Sequence, residues 1–259
     1  MAAPTKTPST IIEAPSQMTE VKLTPKQREA WDLTRAALLW GSPAFTHILY
    51  TMMKTGQDDV AIFTTDLPTA ATDGCKMFIN PEFFFKHSLQ ERVFICAHEI
   101  CHAIFDHCGQ MHGFRKRGQV VTLSGKKMPY SDQIANIAMD LVINDLLVES
   151  QVGKFVSGGL HDKAYGTSED AWVDVYEKVF KDASSGGKGP NGQGFDSHLA
   201  PGAGTGKSAD QAQGERSDIE WSTAVAAAAA SAKAQGKLPG ALERFLGKIL
   251  EPEVPWQDK

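Results

Sequence analysis

Cysteine is scarce: the 259 residues hold four, Cys75, Cys96, Cys101 and Cys108, and none forms a Cys-x-x-Cys pair. A structural zinc knuckle needs that pairing, and so few thiols do not make a disulfide-stapled secreted fold. Cys96 and Cys101 fall among apolar residues and read as small buried hydrophobes. An excess of positive charge is also missing. Lys and Arg number 26 against 31 Asp and Glu, a formal net charge of -5, with no basic stripe. That balance argues against nucleic acid as the main partner. No apolar run reaches the roughly 20 residues of a membrane span, and the N-terminus lacks a signal-peptide core. The expectation is a cytoplasmic protein that engages no nucleic acid and no membrane.

What the chain does have is concentrated in residues 98–107, HEICHAIFDH. His98-Glu99-Ile100-Cys101-His102 is an H-E-x-x-H arrangement. On a helix, side chains at i and i+4 share one face. Two imidazoles so placed can close on one zinc ion, at Zn–N distances of about 2.0–2.1 Å. Glu99, about 100° further round, can reach water on the metal without ligating it, which suits a general base. Chance produces such a five-residue match in on the order of 1% of chains this long, so the setting matters. Val93 to Ala97, Ile100, Cys101 and Ala103 to Phe105 make the helix apolar on nearly every side. Such a helix is buried, and burying a carboxylate and two imidazoles costs several kcal/mol unless they are paired or metal-bound.

A second signal lies in the helix expected from Ser131 to about Glu149. Asn136, Asp140 and Asn144 stand at i, i+4 and i+8, within about 80° of one another, among Ile134, Ile137, Ala138, Leu141, Val142 and Leu146. A carboxylate on a buried face needs a cation, so Asp140 is the candidate third ligand. His107 and Asp106 are alternatives. On a continuous helix His107 would lie about 180° from His98, and 103–106 offers no glycine to break the helix. The motif helix is therefore expected to run from Ser88, with Glu91 completing a capping box, to about Cys108-Gly109, and His107 to act as hydrogen-bond partner of a ligand.

The remaining pattern is mostly helical. Thr24-Pro25 opens a helix to about Leu39, and a second spans about Pro43 to Lys54, with His47 read as a core or partly buried histidine. Val60 to Phe63, Lys76 to Ile79 and Val120 to Leu123 read as short strands, and 110–129 as basic and turn-rich. Residues 153–165 read as a loop, followed by a helix from Ser168 to about Phe180. Residues 183–216, loaded with Gly, Ser and Pro, are expected to be flexible, with His198 a remote candidate for the site. Within them 202–208 mimics a phosphate loop, but its first glycine position is Pro201 and no strand precedes it, so nucleotide binding is rejected. Ser217 and Pro239 open two final helices, the second amphipathic through Leu242, Phe245, Leu246, Ile249 and Leu250.

Asn80-Pro81-Glu82-Phe83, then HEICHAIFDH, then Asn136 to Asn144, resemble a family of bacterial and phage zinc metallopeptidases whose peptidase part is usually followed by a von Willebrand-A-like domain. The resemblance extends through Gly158-Gly159-Leu160 and the helices after Ser217, and His107 matches the family's H-E-x-x-H-x-x-x-x-H pattern. It implies a zincin-like fold, a peptide or protein substrate, and a von Willebrand-A-like domain or partner protein at the C-terminal end.

The expectation is thus an α+β zincin-like metallopeptidase domain, mainly helical, with a small sheet from the 60s, 70s and 120s on the motif helix. Its organisation reads as a flexible arm (1–22), the domain (23–182), a Gly/Ser-rich segment (183–216), helices packing back on the domain (217–251) and a linker-like tail (252–259). His98, His102 and Asp140 would hold Zn2+, with Glu99 catalytic. His107, Asn136, Asn144 and His161 would hold ligands or touch substrate, Asn144 and His161 being also the candidate oxyanion donors. An edge strand, Val120–Leu123 or the one from Lys76, would align an extended peptide. The alternative is a non-catalytic zinc-containing interaction module that docks a partner.

Overall fold

The computed structural model describes residues 18–250 other than 54, 56–58, 193 and 195, with the side chains of 196–198 and 248–250 also left aside. The expected tail at 252–259 and most of the N-terminal arm lie outside the described residues. Helix α1 (Pro25–Gly41) starts where the sequence demands: Thr24 accepts from the Gln27 amide, Gln27 reaches back, and Pro25 fills a position that needs no donor. Its inner face is Trp31, Thr34 and Leu38. The short α2 (Pro43–Thr51) buries nearly its whole first turn. After β1 (Ile62–Phe63), β2 (Ala70–Thr72), β3 (Met77–Ile79) and α3 (Pro81–Phe84) comes the centre of the molecule, α4 (Leu89–Ile104). The Ser88–Glu91 capping box is present, and every residue from Val93 to Ile104 is buried.

Around α4 pack α1, α2, β2 and α6 (Asp132–Glu149). Helix α6 starts at Ser131, whose hydroxyl accepts from the Ile134 amide, and α7 (Trp172–Ser184) lies along it. Two later helices close the far side: α9 (Asp218–Ala234) against α2, and α10 (Gly240–Leu250) against α9 and α6. Small residues on α9, Ala228 and Ala232, are what allow close approach there. The result is an α+β fold, mostly helix, on a large apolar core with a smaller second cluster beside the sheet.

The sheet differs from expectation in three ways. Its order is β1-β3-β2-β6, where β6 (Asp196–His198) comes from the glycine-rich segment and pairs parallel with β2. Strand β3 is interior, parallel to β1 and antiparallel to β2, so the strand from Lys76 offers no free edge. The 120s do not join at all. They form a separate hairpin, β4 (Gln119–Val121) with β5 (Lys127–Pro129).

The helices hold further corrections. The motif helix stops at Ile104 instead of running to Cys108-Gly109. Asp106 takes a left-handed conformation (φ 52, ψ 39), and a new helix, α5 (His107–Arg117), takes up the first part of the stretch expected to be turns. Helix α7 begins at Trp172, because Thr167 to Asp170 close a turn in which Asp170 accepts from the Thr167 amide and hydroxyl. The 183–216 segment supplies β6 and α8 (Ala209–Glu215), and its Gly204 carbonyl accepts from the Met18 amide. Met18 itself is buried beside Leu67, Ala71, Phe78 and Leu199.

Candidate metal centre

Helix α4 presents His98 and His102 one turn apart, and α6 presents Asp140 opposite them. The two Nε2 atoms are 3.0 Å apart. Asp140 Oδ1 lies 3.4 Å from Nε2 of His102 and 3.7 Å from Nε2 of His98. Donors set tetrahedrally about zinc at about 2.0–2.1 Å would stand roughly 3.3 Å from one another. The observed triangle brackets that value. Among the described residues this is the one group of three or more His, Cys, Asp or Glu whose donor atoms cluster closely enough to hold a metal ion.

Each donor is held from behind by a different side chain. Asn144 donates through Nδ2 to the Leu160 carbonyl (2.7 Å), which turns its Oδ1 to His98 Nδ1 (2.9 Å). This network assigns the proton of His98 to Nδ1 and leaves the Nε2 lone pair facing Asp140. His102 Nδ1 meets His107 Nδ1 at 2.9 Å. Asp140 Oδ2 accepts from Asn136 Nδ2 at 3.2 Å. With both Nδ1 atoms engaged, two lone pairs and a carboxylate oxygen converge on one point, and a cation relieves that crowding. Burial sharpens the requirement: His98, Glu99 and His102 are 0% exposed and Asp140 is 1% exposed. A buried ion without compensating charge costs several kcal/mol, against a whole-domain stability of about 5–15 kcal/mol. The residues present therefore fit a divalent metal.

The other candidates fall elsewhere. His107 is not in the donor triangle. The break in α4 does occur, without a glycine, but it turns the imidazole to the far side of His102. The carboxylate of Asp106 is taken up by Gln213 Nε2 (2.7 Å) and Arg216 Nε (3.3 Å). The Asn144 amide is engaged at both ends, by His98 at Oδ1 and the Leu160 carbonyl at Nδ2, so it orients the His98 imidazole. His161 bonds through Nε2 to Asp145 Oδ1 (2.9 Å), on the loop that starts from Leu160. Burial pushes the Asp145 carboxyl up, but His161, the Ser168 amide and Lys163 outweigh it and hold it below the usual carboxylate range. His47 is partly buried in a groove with Arg35 and Tyr50, away from the triangle. Only the backbone of His198 is described, in β6. The Cys96 and Cys101 thiols are buried and pushed well up by desolvation, so they act as hydrophobes.

Gln110, Trp172, Gln213 and Arg216 escape sequence reasoning. Trp172 Nε1 donates to Gln110 Oε1 (2.9 Å), and Gln110 Nε2 donates to the Phe105 carbonyl (2.7 Å), so this pair holds the end of α4. Nothing in their local spacing marks them, since the contacts that join Gln110 to Trp172 and bring Gln213 and Arg216 to the end of α4 each span more than sixty residues.

Fold and site together define a class: an α+β domain whose central helix pair converges on a buried three-donor group able to hold a metal. The chain belongs to the family described as "Putative metallopeptidase domain", whose model matches residues 27–259. No curated protein and no solved structure matches it. No described helix is long and apolar enough to cross a membrane.

Proposed function

We propose that this protein is a zinc-dependent metallopeptidase, with His98, His102 and Asp140 as ligands and Glu99 as general base. The observation that carries the reading is the convergence of two Nε2 atoms and one carboxylate oxygen beside a buried Glu on the same helix. A zinc ion held there supplies Lewis acidity, acidifying a water and polarising a peptide carbonyl. Glu99 takes the proton of the attacking water and passes it to the leaving amine nitrogen. Asn144 and His107 keep the two imidazoles in the tautomer that directs Nε2 inward, and Asn136 keeps Asp140 turned the same way. The four free cysteines agree with a reducing, cytoplasmic setting.

The experiment is metal analysis combined with a peptide library, comparing the parent with Glu99→Gln. One zinc per chain in both is expected, with cleavage reduced about 10²–10⁴-fold in the variant. Undiminished cleavage would remove Glu99 from its role. The complete burial of the donors favours one second reading, a non-catalytic zinc-containing interaction module. Four protein ligands closing the coordination sphere would establish it, whereas a position open to water supports the peptidase.

A further inference from the structure

The break between α4 and α5 sets where His107 points, and one distant side chain sits in its centre. The Arg216 side chain is only 3% exposed, and its Nε faces Asp106 Oδ1 at 3.3 Å. Its two terminal nitrogens donate to the carbonyls of Gly74 and Ala103, each at 2.7 Å. The guanidinium lies over the Trp221 ring at 4.0 Å. Ala103 is in the last turn of α4, where unmatched carbonyls favour a cation, and the planar fork suits several acceptors at once.

Asp106 holds a left-handed backbone that residues other than glycine rarely adopt. Gln213 binds its second oxygen. Gly109 has to lack a side chain for this to work: a Cβ there would stand 2.3 Å from Asp106 Oδ2 and 2.4 Å from Gln213 Oε1. Immediately after Asp106 comes His107, whose Nδ1 meets His102.

We propose that Arg216 is a positioning residue for the metal-donor group. It fixes the α4–α5 break in the geometry that keeps His107 against Nδ1 of His102. The inference rests on the metal-site reading above and extends it. One ligand of the triangle depends on a residue more than a hundred positions further along the chain, inside the Gly/Ser-rich segment. That segment is thereby part of the site's scaffold.

The test is competitive zinc titration of the full chain against a chelator, for the parent, Arg216→Ala, Arg216→Lys, His107→Ala and the Arg216→Ala/His107→Ala pair. Arg216→Ala lowers zinc affinity about 10–100-fold, the range seen when a partner of a ligand is lost. Lys recovers little of it, since one ammonium cannot span two carbonyls and a carboxylate. The double variant loses no more than the worse single one, because both changes remove the same hydrogen bond. Asp106→Gly tolerates the left-handed backbone but removes the carboxylate that Arg216 and Gln213 hold, so it reads out that part of the effect if Arg216→Ala folds poorly. In the metal-free chain, imidazole 15N shifts of His102 and His107 change together in Arg216→Ala. Parent-like zinc affinity in both Arg216→Ala and Asp106→Gly overturns the proposal, as do losses that multiply in the double variant. A parent chain that takes up no zinc overturns the metal reading itself, and this inference with it.

Discussion

The two histidines of the motif are braced in opposite ways. Behind His98 stands Asn144, one turn along α6 from Asp140, itself one turn from Asn136. Helical spacing alone delivers a candidate ligand and two braces from a single element. Behind His102 stands His107, which depends on a broken helix, a left-handed Asp106 and an arginine arriving from residue 216. The first brace is local and rigid; the second is assembled from parts far apart in the chain. Precision at a metal site can be had from either, but only the local one is written as a pattern.

The comparison breaks most sharply at Asp140. If Asp140→Ala removes a ligand as proposed, zinc affinity falls more than about 100-fold, beyond the 10–100-fold expected for any brace. His107→Ala stays within that range. Reversed sizes, measured by zinc titration, would move His107 into the donor set. Between the braces, Asn144→Ala and His107→Ala should each cost about 10–100-fold in zinc affinity. They differ in their neighbours: His107→Ala couples to Arg216→Ala, whereas Asn144→Ala and Arg216→Ala act independently. Coupling of Asn144 to Arg216 in such a cycle would contradict the division between local and assembled braces.

The smallest effect concerns two aspartates, Asp145 buried and Asp106 partly buried, whose shifts have opposite sign. Asp145, near the local brace, is held below its ordinary value. It contributes stability above its unfolded pKa of about 3.9, and that contribution is lost as pH falls through the lower folded value. Asp106, in the assembled break, is raised by burial despite Arg216 and Gln213. Between the unfolded and the raised folded value, stability falls as pH rises. Denaturant unfolding between pH 3 and 7 should therefore show Asp145→Asn losing part of the acid-side decline. Asp106→Asn should lose the opposite slope just above pH 4. The same slope change in both variants would reject these environments.

What the sequence discloses follows the same division. The H-E-x-x-H spacing, the Ser88–Glu91 cap and the 136/140/144 stripe are all within one or two helical turns, where 3.6-residue periodicity fixes geometry directly. The end of α4 was illegible because 103–106 contains neither glycine nor proline. The left-handed Asp106 is stabilised by Gln213 and Arg216, more than a hundred residues away. Strand β6 was hidden for a similar reason: three residues in a glycine-rich stretch carry no alternation, and their pairing with Ala70–Thr72 is decided by the sheet they join. The strand at Ala70–Thr72 itself is short and buried on both faces, so period-two patterning had nothing to register.

The central claim is that His98, His102 and Asp140 together hold one metal ion. Anomalous scattering at the zinc edge, from crystals of the full chain grown with zinc, tests it most directly. A single strong peak bounded by Nε2 of His98, Nε2 of His102 and Oδ1 of Asp140 is expected. No peak there, or a peak ligated by His107 in place of Asp140, would contradict it.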